Sequence, residues 1–170
     1  MNLTGIRQPR AIVRQLFGES LFLANVLELR GWLVDIGSGA GFPGLALKLV
    51  APALRVTLIE ARRKKCPFLR EVACECAFYG VDVVSERFES WSAGGAGQGR
   101  PNFITTRAVE VNKNLLVRMA AVLSPGGKVV LLTSRGLVEK IREQAVTWRW
   151  ESPVPVPSSR TSVVLLGCPF

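Results

Sequence analysis

Asp35-Ile-Gly37-Ser-Gly39-Ala-Gly41-Phe42-Pro43-Gly44 is the stretch whose residue types and spacing could do chemistry. Glycines this close let the backbone turn tightly at positive φ and let a ligand approach the main chain. A helix starting behind them offers N–H groups with no partner of their own. In a doubly wound sheet, the carboxyl end of a strand followed by such a turn is where a nucleotide-like ligand binds. Glu60 follows the glycines by about 20 residues, the spacing at which a strand-end carboxylate accepts from ribose hydroxyls. The bland alternative is a tight strand-to-helix turn with an exposed acid nearby.

Two ligand classes compete for the turn. Gly39-x-Gly41-x-x-Gly44 matches the dinucleotide fingerprint, which is a weak signal alone. Asp35-x-Gly37-x-Gly39-x-Gly41 has the acid-then-glycines form of Rossmann-like enzymes that use S-adenosyl-L-methionine. Length favours the second. A nicotinamide-dependent oxidoreductase usually needs a separate substrate domain, and 170 residues leave no room for one.

The chain holds no histidine. A Ser-His-Asp triad, a Cys-His pair and a histidine base are therefore excluded. Cys66, Cys74, Cys76 and Cys168 form no C-x-x-C pair. No metal site is expected, and the thiols are expected to be buried and reduced. The 22 Lys and Arg against 13 Asp and Glu give a formal charge of +9. Such an excess points to a polyanion, with nucleic acid ahead of an acidic membrane surface. No apolar run reaches the ~18 residues of a membrane span, and no secretory leader pattern opens the chain. A cytoplasmic monomer is expected.

The elements that must position the turn alternate between strand and helix, the pattern of an α/β fold with a mostly parallel sheet flanked by helices. Helix is predicted over 9–29, 43–50, 64–79, 112–123 and 137–145. Phe68, Leu69, Val72, Ala73 and Cys76 mark the apolar face of the third. Strand is predicted over 32–36, 55–60, 81–85, 102–106, 128–134 and 161–167, with an edge strand over 148–150. Pro153, Pro155 and Pro157 forbid a central strand. The glycine-rich run 92–100 reads as a loop. Neither a repeat nor a second domain is visible, so residues 1–170 read as one methyltransferase domain.

The chain resembles the RsmG/GidB family, Rossmann-like class I methyltransferases, over nearly its whole length. Asn2-Leu-Thr4-Gly-Ile-Arg7-Gln-Pro9 looks like the family's opening N-L-T-x-I-x-x-P, and Glu19-Ser20-Leu21 like its D/E-S-L. Asp35 to Gly44 is similar to D-x-G-[ST]-G-x-G-[FL]-P-G, the most specific piece. Leu58-Ile-Glu60, then Lys64-Lys65 and Phe68-Leu69, follow its acid, K-K and F-L. Thr106-Arg107-Ala108 resembles S-R-A.

That resemblance implies methyl transfer from S-adenosyl-L-methionine to N7 of a guanine in 16S ribosomal RNA, with the small ribosomal subunit as partner. It implies cofactor contacts from Gly37, Gly39, Gly41, Phe42, Glu60, Phe88, Glu89 and Arg107. Arg107, beside both cofactor and entering base, is the catalytic candidate. Asn2, Arg14, Ser20 and Arg160 are the substrate-binding candidates. The lone pair on N7 carries no proton, so a chain without histidine can serve, through positioning and electrostatics. Arg62-Arg63-Lys64-Lys65 would meet RNA phosphates, which give affinity without sequence information. Three departures stand out. The sequence starts almost at N-L-T, where the family usually carries a helical segment before it, Gln15 or Leu16 stands where a histidine is common, and Arg135-Gly136 replaces Lys-Gly. They keep open a second reading, a catalytically weakened RNA- or ribosome-binding protein on the same fold.

Overall fold

The computed structural model describes residues 8–94, 99–157 and 159–170. In chain order it runs α1 (Pro9–Ala11), a π-helical stretch (Ile12–Phe17), α2 (Gly18–Val26), β1 (Trp32–Ile36), α3 (Gly44–Val50) and β2 (Arg55–Ile59). A 3-10 turn (Arg63–Lys65) leads into α4 (Cys66–Glu75), then β3 (Val81–Val84), α5 (Phe88–Gly94), β4 (Phe103–Arg107) and α6 (Lys113–Val122). β5 (Lys128–Ser134), a second 3-10 turn (Arg135–Leu137), α7 (Val138–Gln144), β6 (Trp148–Trp150), β7 (Val154–Pro155) and β8 (Ser162–Pro169) complete it.

The strands form one sheet in the order β3-β2-β1-β4-β5-β8-β6, with β7 also on β8. β1 to β5 pair in parallel, and β8 runs antiparallel to β5. Each face buries its own core. Val34, Ile36 and Ile104 face α5, α6 and α7 through Phe88, Leu116, Met119 and Ile141. Leu33, Leu58 and Val130 face α2, α3 and α4 through Leu23, Leu47 and Leu69. Alternate residues of a strand point to opposite faces, so a strand covered on both sides reads as a continuous apolar run. β1 is buried at all five positions, Asp35 included. The chain leaves β1 toward β2 and returns to β1's other side as β4. That reversal is the switch point where such sheets hold ligands.

Four local expectations need correction. The helix expected to Tyr79 stops at Glu75, because Ala77 turns to φ 49°. Cys76 therefore leaves the apolar face and is exposed, as is Cys74; of the four free thiols only Cys66 is buried. The glycine-rich loop begins later than expected. Ser92 to Gly94 belong to α5, whose Phe88 is buried and Trp91 packed on the core. The first helix ends at Val26 and contains a π-helical stretch. The proline-rich tail contributes only the two-residue β7 at the sheet's margin, in keeping with the exclusion of a central strand there.

Candidate active site

Asp35 organises the glycine turn from below. Its Oδ2 accepts from the Gly44 N–H at 3.2 Å, and its backbone carbonyl accepts from the Ser38 hydroxyl at 2.9 Å. A Cβ on Gly44 would lie 2.9 Å from that Oδ2 and 2.5 Å from Leu58 Cδ2, so only glycine lets α3 start this close to the sheet. Full burial raises the Asp35 pKa from 3.8 to about 7, with the Glu60 charge adding to it and the bonds from Gly44 and Ser38 opposing it. Its Oδ1 has no hydrogen-bond partner among the described residues. Above, the N–H groups of Gly37 and Ser38 both donate to the Ile59 carbonyl, at 2.8 and 3.1 Å. The turn is thus tied to the ends of β1 and β2 together.

Glu60 closes the other side. Its Oε2 accepts from the Gly39 N–H at 2.9 Å and its Oε1 from the Arg62 N–H at 2.7 Å. Each carboxylate oxygen has a further lone pair to offer a hydroxyl. Glu60 is a wall common to two adjoining clefts. One, about 380 Å³, is bordered by Leu16, Gly37, Gly39, Phe42, Lys65 and Arg107. The other, about 210 Å³, is bordered by Gly37, Ala61, Phe88, Glu89 and Asn112. Gly37 and Val109 also belong to both.

Seven of the predicted cofactor residues therefore border one cleft system: Gly37, Gly39, Phe42, Glu60, Phe88, Glu89 and Arg107. Gly41 does not border it. It is buried beneath the turn at φ 90°, and a Cβ there would lie 2.4 Å from Leu45 Cδ1. Its work is to shape the turn. Phe42 is held edge-on by Phe17, ring centroids 4.6 Å apart, and Phe88 stacks on Trp91 at 5.8 Å. The π-helical stretch carries Leu16 to the cleft and Phe17 to Phe42. Such bulges gather at functional sites. Arg107, at the end of β4, pairs through Nη2 with Glu19 Oε2 at 2.9 Å.

The substrate-binding candidates separate. Ser20 is fully buried, its hydroxyl donating to the Leu16 carbonyl, so it braces the first helix and cannot touch an incoming ligand. Arg14 is exposed on the π-helical stretch that lends Leu16 to the cleft. Arg160 is exposed just before β8, near the Ser134–Ser162 pair at the site's end of the sheet. Asn2 lies outside the described residues, as does that opening motif as far as Arg7. Arg62 and Lys65, expected to face RNA, border the larger cleft. Sequence reasoning misses Asp35 and Glu19 as site residues: one acts from beneath the turn, and the other meets an arginine 88 positions away. The glycine motif contained a signal for the first. The second had none beyond the family's D/E-S-L.

A family profile described as "GidB: rRNA small subunit methyltransferase G" matches residues 1–161. The chain belongs to this family. Curated relatives named ribosomal RNA small subunit methyltransferase G include one from Chloroflexus aggregans, 38% identical over 82% of this chain and 59% of its own length. Another, from Stenotrophomonas maltophilia, is 33% identical over 92% of this chain and 72% of its own. The chain spans 59–65% of the length of the Chloroflexus relative and of those from Dehalococcoides mccartyi and Halorhodospira halophila. Among solved structures, the glycopeptide N-methyltransferase MtfA complexed with S-adenosyl-L-methionine superposes with a TM-score of 0.73. It covers 97% of this chain and 100% of the other at 13% identity, a likeness of fold alone. The fold of this member of the methyltransferase G family is thus the class I methyltransferase fold.

Proposed function

We propose that the chain transfers a methyl group from S-adenosyl-L-methionine to N7 of a guanine in 16S ribosomal RNA, on small subunits in the cytoplasm. The observation that carries the reading is the Glu60 carboxylate, fixed by the Gly39 and Arg62 N–H groups where the two clefts join. The residues present fit the cofactor. Glu60 offers acceptors to vicinal ribose hydroxyls. The Phe88 side of the smaller cleft suits a flat heterocycle. Arg62, Lys65 and Arg107 surround the larger cleft with positive charge, which suits an amino-acid carboxylate. When bound, the cofactor supplies an electrophilic methyl group on a sulfonium.

The chain's own residues then position and exclude. Gly37 and Gly39 keep that wall of the cleft free of side chains. Phe42, braced by Phe17, and Leu16 cover the larger cleft with apolar surface. No residue is needed to move a proton, because the attacking nitrogen carries none. Net charge of +9 and the exposed Arg10, Arg14 and Arg160 favour a polyanionic partner.

Calorimetric titration with S-adenosylhomocysteine, with NAD as control, tests the cofactor. Methyl transfer to small subunits lacking the modification tests the reaction. Binding of S-adenosylhomocysteine alone, with transfer to one guanine, is the expected result. Binding without transfer would favour the weakened RNA-binding reading.

A further inference from the structure

Asn112 caps α6 and borders the smaller of the two cofactor clefts. Its Oδ1 accepts from the Leu115 N–H at 2.9 Å, and its backbone carbonyl accepts from the Leu116 N–H at 3.1 Å. One bond through the side chain and one through the main chain therefore hold the residue in place. Capping accounts for the side-chain oxygen. Serine and aspartate cap a helix as well as asparagine does, and neither has an amide nitrogen. What asparagine adds is Nδ2, with two N–H donors that the helix does not use.

The cleft gives those donors a purpose. Its floor is apolar: Ile36, Ile59, Phe88 and Leu115 are each at most 5% exposed. Around that floor stand the carboxylates of Glu60, Glu86, Glu89 and Glu110, which only accept. Arg87 and Asn112 are the donor side chains among the described residues that border it. An adenine ring has one amino group that donates, and ring nitrogens that only accept. The acids suit the amino group and can do nothing for a ring nitrogen. An amide N–H can.

We propose that Asn112 is a specificity-determining residue for the cofactor, its Nδ2–H donating to a ring nitrogen of the purine while the capping bond holds the amide still. The inference rests on the methyl-transfer reading above, which supplies the purine. An amide already fixed by its oxygen loses little freedom when the ligand arrives. One side chain thus serves two ends, its oxygen ordering the helix and its nitrogen reading the ring. A carboxylate at this position would cap equally well and repel the same ring nitrogen.

The test measures calorimetric Kd values for S-adenosylhomocysteine and for its 1-deaza, 3-deaza and 7-deaza analogues, each with one ring nitrogen replaced by C–H. One of the three should bind the wild-type chain about fivefold or more weakly than S-adenosylhomocysteine, the loss of one hydrogen bond. Asn112→Ser keeps a capping oxygen and removes the amide. In that variant the same analogue should bind within about twofold of S-adenosylhomocysteine, which itself weakens about fivefold. Asn112→Asp, isosteric and also a good cap, gives the same arm if Asn112→Ser does not fold. A role in capping alone predicts that the analogue's penalty keeps its wild-type size in the variant, and that result would overturn the inference. So would wild-type protein that binds all four ligands alike. An equal loss for all four in the variant would mean a reshaped cleft in place of a lost bond, and would overturn it too. In each of these cases S-adenosylhomocysteine still binds the wild-type chain and the cofactor reading stands. Wild-type protein that binds none of the four would sink that reading, and the inference with it.

Discussion

Two of the chain's glycine-rich turns lie at opposite ends of its sheet, one after β1 and one at Ser124-Pro125-Gly126-Gly127 before β5. Both contain glycine at positive φ, and both border a cleft. The cleft at the second turn is the larger, about 570 Å³. Their surroundings differ. A Cβ on Gly126 would meet nothing within 4 Å, whereas one on Gly44 would collide with Leu58 and Asp35. The second turn closes on itself through the Gly127 N–H and the Ser124 carbonyl at 2.8 Å. The first is tied to a buried acid below and a second acid above. Neither glycine content nor cleft volume separates a site from a bend. Carboxylates spent on backbone N–H groups do.

The sharpest way to break this comparison is Gly39→Arg. Gly39 borders the cleft at φ 58°, and a Cβ there would meet the Gly37 carbonyl oxygen at 3.7 Å and Lys65 Nζ at 3.8 Å, ordinary contact distances. An arginine there should weaken S-adenosylhomocysteine binding at least ~100-fold, about 2.7 kcal/mol, with an intact circular dichroism spectrum. Normal binding would put the pocket elsewhere. Gly44→Val should lower unfolding free energy in denaturant titration by about 2 kcal/mol, through overpacking against Leu58 and Asp35. Glu60→Gln keeps the shape and removes the charge. It should weaken S-adenosylhomocysteine about tenfold, or roughly 1.4 kcal/mol, with little change in melting temperature.

Asp35→Asn sharpens the contrast through pH. The folded carboxyl titrates near 7, against 3.8 as its ordinary value. The folded chain then binds more protons between those values, so stability falls as pH rises through that window. The asparagine variant should show a flatter plot of unfolding free energy against pH there. An unchanged slope would mean the acid is not buried as described. Gly126→Asn is the smallest expected effect. Asparagine tolerates positive φ, so stability should move by less than about 1 kcal/mol and cofactor binding not at all.

Most of the frame was legible because apolar runs and turn residues agree at each strand. β1, β5 and the antiparallel end of the sheet fall where the pattern puts them. The lapses have local causes. α5 hides beside glycines because Phe88 and Trp91, which anchor it, are only two apolar residues in a polar stretch. The helix from Cys66 ends at Glu75 because an alanine takes the turn conformation usually left to glycine. The π-helical stretch has no sequence mark at all. In the site, the cofactor-facing glycines and Glu60 were readable as a spaced motif. The Glu19–Arg107 pair was not, since nothing local links a helix near the start to a strand end 88 residues on. Ser20 misled because a family motif does not say which way a side chain points.

The reversal between β1 and β4 has one further consequence. It divides the sheet into two arms, β1-β2-β3 and β4-β5-β8 with β6 and β7, joined along a single seam. Gly37 and Glu60 come from one arm, Arg107 and Val109 from the other, and all border the same cleft. A ligand there works as a clasp: it rewards only a chain whose two arms have both formed. Partly folded molecules, the ones proteases reach first, gain nothing from it, so supply of the ligand should lengthen the survival of intact copies selectively.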